Sequence, residues 1–166
     1  MSHVVQLPTV EDTRAFGARL AELLRAGDLL VLSGPLGAGK TALVQGIGAG
    51  LGVSGAITSP TFVIARVHRP DPACGGRVAL VHADAYRLGA AADPRAEIDD
   101  LDLDASMDEA VTVVEWGEGM VEQLGEAHLR IVIERRDDDT RVAQLVPVGG
   151  DWADRLGRLA GAGTTI

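Results

Sequence analysis

An apolar run entering a glycine-rich loop, two further apolar runs each ending on a carboxylate, and two β-rich runs flanking an acidic turn predict an α/β protein. The expected architecture is a three-layer α/β/α sandwich with a mostly parallel sheet and a C-terminal antiparallel hairpin. No repeat or linker breaks the 166 residues, so one domain is expected over 1–166, with 159–166 as a frayed, Gly-rich tail.

In chain order, His3 to Leu7 reads as an edge strand. Thr9 followed by Asp12 has the spacing of a capping box, and Phe16, Leu20, Leu23 and Leu24 follow as a helical stripe that Gly27 ends. Asp28-Leu29-Leu30-Val31-Leu32-Ser33 is a short apolar run, read as a buried strand. It leads into Gly34-Pro35-Leu36-Gly37-Ala38-Gly39-Lys40-Thr41, which fits the phosphate-binding pattern Gly, four residues, Gly, Lys, Ser/Thr. Leu43, Ile47 and Leu51 then mark one stripe of a helix closed by Gly52. Gly46, Gly48 and Gly50 make that helix poor by propensity, so tertiary packing must hold it.

Thr61 to Val67 reads as a strand, 69–77 as a Pro/Gly loop, Val78 to Ala83 and Val111 to Glu115 as buried strands. Leu129 to Arg135 and Arg141 to Val148 flank Asp137-Asp138-Asp139-Thr140 as a hairpin, and Asp151 to Leu159 is a short closing helix. Strand, glycine loop and helix together make a P-loop NTPase-like unit. Glycines let successive N–H groups point inward at phosphate oxygens, and the helix N-terminus adds its partial positive charge.

Composition sharpens this reading. The chain has 14 arginines and one lysine, and that lysine is Lys40. A compact ammonium on a flexible stem reaches along a phosphate chain as a point charge. With 21 glycines and one lysine in 166 residues, the four fixed positions coincide by chance in roughly one such chain in a thousand. At 46% hydrophobic but 3% aromatic, the core must be built from Val, Leu, Ile and Ala. A net charge of −9 opposes direct electrostatic capture of nucleic acid, so any RNA role runs through partner proteins.

A single cysteine, Cys74, excludes internal disulfides and a multi-cysteine zinc site and reads as a loop residue. With no secretory signal and no apolar run of spanning length, no membrane association is expected and the expected compartment is cytoplasmic. The stretch 88–109 carries eight acids with Ile98, Leu101, Leu103 and Met107 interleaved: a solvated connection, or an interaction surface.

A phosphate-loop enzyme needs an acid at the end of a second buried strand to hold the magnesium shell, with the loop hydroxyl of Thr41 as the other ligand. Asp84 and Glu115 both qualify, and spacing leaves their roles open. His82 alternates with Asp84 and so shares its face; by itself it reads as a satisfied strand histidine. Thr58-Ser59-Pro60-Thr61-Phe62 is either a segment that folds over the γ-phosphate or a plain Ser-Pro turn, and Trp116 either packs over the pocket or fills core. The chain has no asparagine and no second lysine, so the Asn-Lys-x-Asp reader of guanine is absent and ATP is the expected nucleotide.

The ordered set of the loop at 34–41, Thr58 to Phe62, His82-Ala83-Asp84-Ala85-Tyr86-Arg87-Leu88 and Val114-Glu115-Trp116-Gly117-Glu118 resembles the TsaE (YjeE) family. The likeness runs from about Val5 to Arg141. The resemblance implies an ATPase of low intrinsic activity that serves threonylcarbamoyl modification of the adenosine next to the tRNA anticodon. In that family it works with the TsaB–TsaD heterodimer, which its hydrolysis of ATP resets between turnovers, and it meets tRNA only through those partners. By motif position, Gly34, Gly37, Ala38, Gly39, Lys40, Thr41 and Ala42 hold the phosphates, with Lys40 also catalytic. Thr41 and Glu115 bind Mg²⁺, and Asp84 is an essential acid near the γ-phosphate. Val10 to Thr13, Thr61 and Trp116 border the nucleotide. Family members often carry an arginine in the last hairpin that reaches the nucleotide. This hairpin turn is shorter and acidic, leaving Arg135, Arg136, Arg141 or none for that place. A small-molecule kinase and a nucleotide-gated binding module are the alternatives. A kinase lid needs several arginines, and 88–109 holds only Arg95.

Overall fold

The computed structural model describes residues 3–35, 39–53, 57, 65–84, 109–115 and 127–161. In chain order the strands are β1 (His3–Leu7), β2 (Leu29–Ser33), β3 (Ala65–His68), β4 (Ala79–Asp84), β5 (Ala110–Glu115), β6 (His128–Arg135) and β7 (Arg141–Val148). The helices are α1 (Val10–Ala21), α2 (Lys40–Leu51) and α3 (Trp152–Gly161). The strands form one sheet in the order β1-β7-β6-β2-β5-β4-β3.

The four central strands β6, β2, β5 and β4 run parallel. The predicted hairpin is the β6–β7 pair, and β1 adds to it antiparallel as an edge strand. At the other margin β3 pairs antiparallel with β4. The connection across Arg69 to Val78 is too short for the helical crossover that a parallel pair needs. This is the predicted fold class: a parallel centre with antiparallel margins. No described helix is long and apolar enough to cross a membrane.

Register separates the two sheet faces. Leu30, Leu32, Leu80, Val111, Val113, Leu129 and Ile131 point to the face covered by all three described helices and share one core with Phe16, Leu20, Leu43, Ile47, Trp152 and Leu156. Val31, Val81 and Val114 point to the opposite face and are fully buried there. Burial on both faces is why β2 and β5 read as continuous apolar runs rather than alternating ones.

Helix α1 begins as its sequence predicts. Thr9 and Asp12 exchange side chain-to-backbone hydrogen bonds, both at 3.1 Å. The helix stops at Ala21, well short of Gly27, which instead makes the turn toward β2 with φ 91°. Distant arginines take the carbonyls of its last residue and of the turn that follows: Arg77 donates to Ala21 O at 2.7 Å and Leu24 O at 3.2 Å. Arg155 donates to Leu23 O at 3.2 Å. With those acceptors satisfied from outside, another helical turn gains nothing. At the other end of the chain α3 runs on to Gly161 with Leu159 buried, two residues beyond the predicted helix end and into the stretch expected to fray.

The glycines of α2 have a packing reason. A Cβ on Gly17 of α1 would stand 2.5 Å from Leu43 O, and one on Gly46 would overlap the backbone carbonyl of Arg14. The two helices therefore cross with their backbones in contact. The far end of this face is closed by a buried ion pair: Arg155 Nη1 and Nη2 donate to the two oxygens of Asp28 at 2.5 and 3.0 Å. Arg155 Nε reaches Asp151 at 3.0 Å, and the guanidinium lies 4.3 Å from the centre of the Trp152 ring. Burial works to lower the pKa of this arginine, but the hydrogen bonds and charges of Asp28 and Asp151 outweigh it and raise the pKa.

Two stability predictions follow from these contacts. Gly46→Ala gains about 1 kcal/mol of helix propensity but forces backbone apart, and is expected to destabilise by about 1–3 kcal/mol net. Gly157→Ala in α3, where a Cβ meets nothing within 4 Å, should stabilise by about 0.5–1 kcal/mol. Urea denaturation of the pair checks the opposite signs. Asp28→Ala leaves the Arg155 charge buried and is expected to cost about 3–5 kcal/mol, whereas the double change Asp28→Leu with Arg155→Met should cost far less. A double variant as unstable as Asp28→Ala alone would show that the pair itself, and not only the avoidance of a lone buried charge, supplies stability.

Candidate functional site

Strand β2 ends at Ser33, and the chain turns through Gly34 and Pro35 toward Gly39, where α2 starts. Residues 36–38, and with them Gly37 and Ala38, lie outside the described residues. Gly39 has φ 102° and caps the helix without a side chain, a backbone conformation that side chains rarely adopt. No acidic residue occupies the first turn of α2. No acid of that turn therefore neutralises the N–H groups and the positive end of the dipole. Thr41 and Ala42 are half-buried on that turn.

Lys40 is only 7% exposed. Its Nζ donates to Gly34 O at 2.5 Å and Pro35 O at 3.4 Å, which holds the ammonium across the start of the loop. Burial lowers its pKa below the ordinary lysine value, and the Glu115 carboxylate opposes that shift.

The register of the parallel strands assembles the acids. Glu115, the last residue of β5, pairs with Leu32 of β2 on one side and Asp84 of β4 on the other. The two carboxylate residues are thus neighbours at the C-terminal edge of the sheet, on the face that carries α2. Glu115 is buried, and its Oε1 has no hydrogen-bond partner among the described residues. Asp84 is fixed in its strand, while its side chain falls outside the described part.

His82 departs from the sequence reading. It is fully buried, and neither ring nitrogen finds a hydrogen-bond partner among the described residues, which therefore do not supply the partners of a satisfied strand histidine. Its Nε2 stands 3.5 Å from Glu115 Oε1.

On the other side of the loop, a Cβ at Gly39 would lie 3.7 Å from Arg141 Cγ, 3.9 Å from Arg141 Nε and 4.0 Å from Thr13 Cγ2. Arg141 is therefore the hairpin arginine that flanks the helix start. Arg135 is instead bound to Asp139 at 2.5 and 2.9 Å. Val10 opens α1 just before Thr13, with 38% of its surface exposed. The sequence left Arg141 as one of three because the pairing of β1 with β7, which sets Leu7 opposite Arg141, has no local signature. Thr58 to Phe62, Thr61 included, Trp116 and the acidic stretch up to Asp108 lie outside the described residues.

One place thus combines a helix N-terminus, a buried ammonium, a second cation and a buried carboxylate with an unused oxygen. Such a set can hold a polyanion on the N–H groups, Lys40 and Arg141. The hydroxyl of Thr41 and the carboxylate of Glu115 are hard oxygen donors for a divalent cation. No cluster of three or more His, Cys, Asp or Glu side chains forms among the described residues.

Comparison with known proteins shows the family of this chain. A family model described as threonylcarbamoyl adenosine biosynthesis protein TsaE matches residues 7–143. The tRNA threonylcarbamoyladenosine biosynthesis protein TsaE of Streptomyces coelicolor is 56% identical over 144 residues, covering 84% of this chain and 93% of the relative. The protein of the same name from Bacillus subtilis is 37% identical over 143 residues, 86% of this chain and 84% of the relative. The crystal structure of Bacillus subtilis YdiB superposes with a TM-score of 0.78 at 28% identity, covering 98% of this chain and 96% of that one. The chain belongs to the TsaE family of threonylcarbamoyl adenosine biosynthesis proteins.

Proposed function

We propose that this protein hydrolyses ATP with Mg²⁺ in support of tRNA threonylcarbamoyladenosine formation, acting on the TsaB–TsaD heterodimer and meeting tRNA only through it. The observation that carries the reading is Glu115: a buried carboxylate in the field of the chain's single lysine, beside the start of α2. A buried carboxylate is unfavourable unless something takes up its charge and its lone pairs. Lys40 offsets part of the charge. A cation shared with bound phosphates supplies the rest.

The chain's own groups divide the work. Backbone N–H groups from Gly39 to Ala42 face the phosphates, and Lys40 exchanges its carbonyl acceptors for phosphate oxygens, which are stronger partners for an ammonium. Thr41 Oγ1 and Glu115 hold the cation. Mg²⁺ held there would supply positive charge to offset the negative charge that develops on phosphoryl transfer. Asp84, next to Glu115 in register, orients the attacking water. Arg141 lies over Gly39 and adds a cation, and Val10 to Thr13 border the base. With no asparagine in the chain, the guanine-reading motif is absent, which favours ATP over GTP. The family membership supplies the pathway, and the resemblance of the four motifs supplies the partners.

Lys40→Ala is expected to lose most ATP affinity by calorimetry at matched Mg²⁺ while remaining folded. Unchanged affinity in the folded variant ends the phosphate-loop reading. Glu115→Ala should weaken Mg²⁺-dependent binding and hydrolysis together. Asp84→Asn should retain binding and lose about 10²- to 10⁴-fold in hydrolysis rate. Swapped phenotypes would reverse the two roles.

Phosphate release should rise when purified TsaB–TsaD is added, and filter binding of bare tRNA at physiological salt should be negligible, given the net charge of −9. A rate indifferent to TsaB–TsaD, or tight binding of bare tRNA, would overturn the proposed division of labour.

A further inference from the structure

His82 lies in β4, one strand in from the sheet margin, with no exposed surface, yet its Nδ1 and Nε2 are both without a hydrogen-bond partner among the described residues. Leucine would fill comparable space without burying two unpaired nitrogens, so packing alone does not account for an imidazole here. The sequence alternation places His82 on the same face as Asp84, and register sets it beside Val113, two residues before Glu115. Its Nε2 stands 3.5 Å from Glu115 Oε1, the oxygen that also lacks a partner. That separation is only a few tenths of an ångström beyond a normal N–H···O bond. Among the described residues, the two unpaired groups lie within reach of each other.

A carboxylate that binds a cation through one oxygen must present the right oxygen. A fixed donor on the other oxygen makes that choice in advance, as partners behind metal ligands commonly do. We propose that His82 is a positioning residue: neutral, with its proton on Nε2, it donates to Glu115 Oε1 and turns Oε2 toward the divalent cation. The inference rests on the reading of Glu115 as a cation ligand and extends it to the residue that aims it. No change of protonation is involved. The tautomer and the hydrogen bond carry the effect.

The test compares His82→Leu, which removes the donor, with His82→Gln, whose side-chain amide places an N–H near the position of Nε2. Binding of the non-hydrolysable analogue AMP-PNP is measured across a Mg²⁺ titration and again in EDTA, with a thermal melt of each variant. His82→Leu is expected to melt no lower than the parent and to bind the analogue unchanged in EDTA, while its Mg²⁺ midpoint rises about 10- to 100-fold. His82→Gln should stay near the parent midpoint. A parent-like midpoint in His82→Leu overturns the inference, and so does an equal rise in both variants, which would mark lost packing instead of a lost donor. A parent protein whose analogue binding ignores Mg²⁺ overturns the reading of Glu115 itself, and the inference with it.

The unmutated chain gives an independent answer if His82→Leu does not fold. Long-range ¹⁵N–¹H spectra of the Mg²⁺–AMP-PNP complex should show the His82 proton on Nε2. A proton on Nδ1 overturns the proposal.

Discussion

The contact between the backbones of α1 and α2 is the constraint on which the rest of the site depends. Neither Gly17 nor Gly46 leaves room for a Cβ, and Gly50 would likewise press on Ala18 and Ala21. Such an approach gives up helix propensity in return for extensive close packing. It also fixes the height of α1 relative to α2 to within a fraction of a side chain. That height brings Thr13 against Gly39 and so puts the start of α1 beside the start of α2. A looser crossing through larger residues would move the two helix starts apart.

The second constraint is sheet register, which acts at right angles to the first. Leu32, Glu115 and Asp84 fall in one row across three parallel strands. A slip of one residue between β2 and β5 would send Glu115 to the opposite face, away from Lys40. The slip is opposed by the core itself, because the same register carries Leu30 beside Val113 and Leu129 under the helices. The carboxylate is therefore held in place by residues that have no chemistry of their own.

Local signals carried much of this into the sequence. The loop was legible because four residue types at fixed spacing meet a chain with one lysine, and β5 because Val111 to Val114 is apolar on both faces. The Thr9–Asp12 cap and the β6–β7 hairpin are also local, and both occur where the pattern puts them. What escaped is long-range. The early end of α1 depends on Arg77 and Arg155, 56 and 132 residues from the carbonyls they satisfy. The choice of Arg141 depends on how β1 and β7 pair. His82 could be placed on the face of Asp84 by alternation, but its unpaired state depends on what surrounds it in three dimensions, which no spacing records.

Two buried ionic arrangements lie toward opposite ends of β2, and they differ in how completely they are satisfied. Asp28, just before the strand, receives both arms of Arg155 and the backbone N–H of Arg25, while Arg155 has Asp151, Leu23 O and the Trp152 ring besides. Charges so fully bonded have nothing left to offer a ligand, and their loss is felt as stability. Beyond the other end, Lys40 donates to backbone carbonyls, and one oxygen of Glu115 and the imidazole beside it find no hydrogen-bond partner among the described residues. Carbonyl acceptors hold an ammonium less firmly than an anion does, so Lys40 can change partners without a change of fold. The distinction between the two ends is thus not the presence of buried charge but the valence left unfilled. The first end closes the core, and the second retains bonding capacity for what arrives from solution.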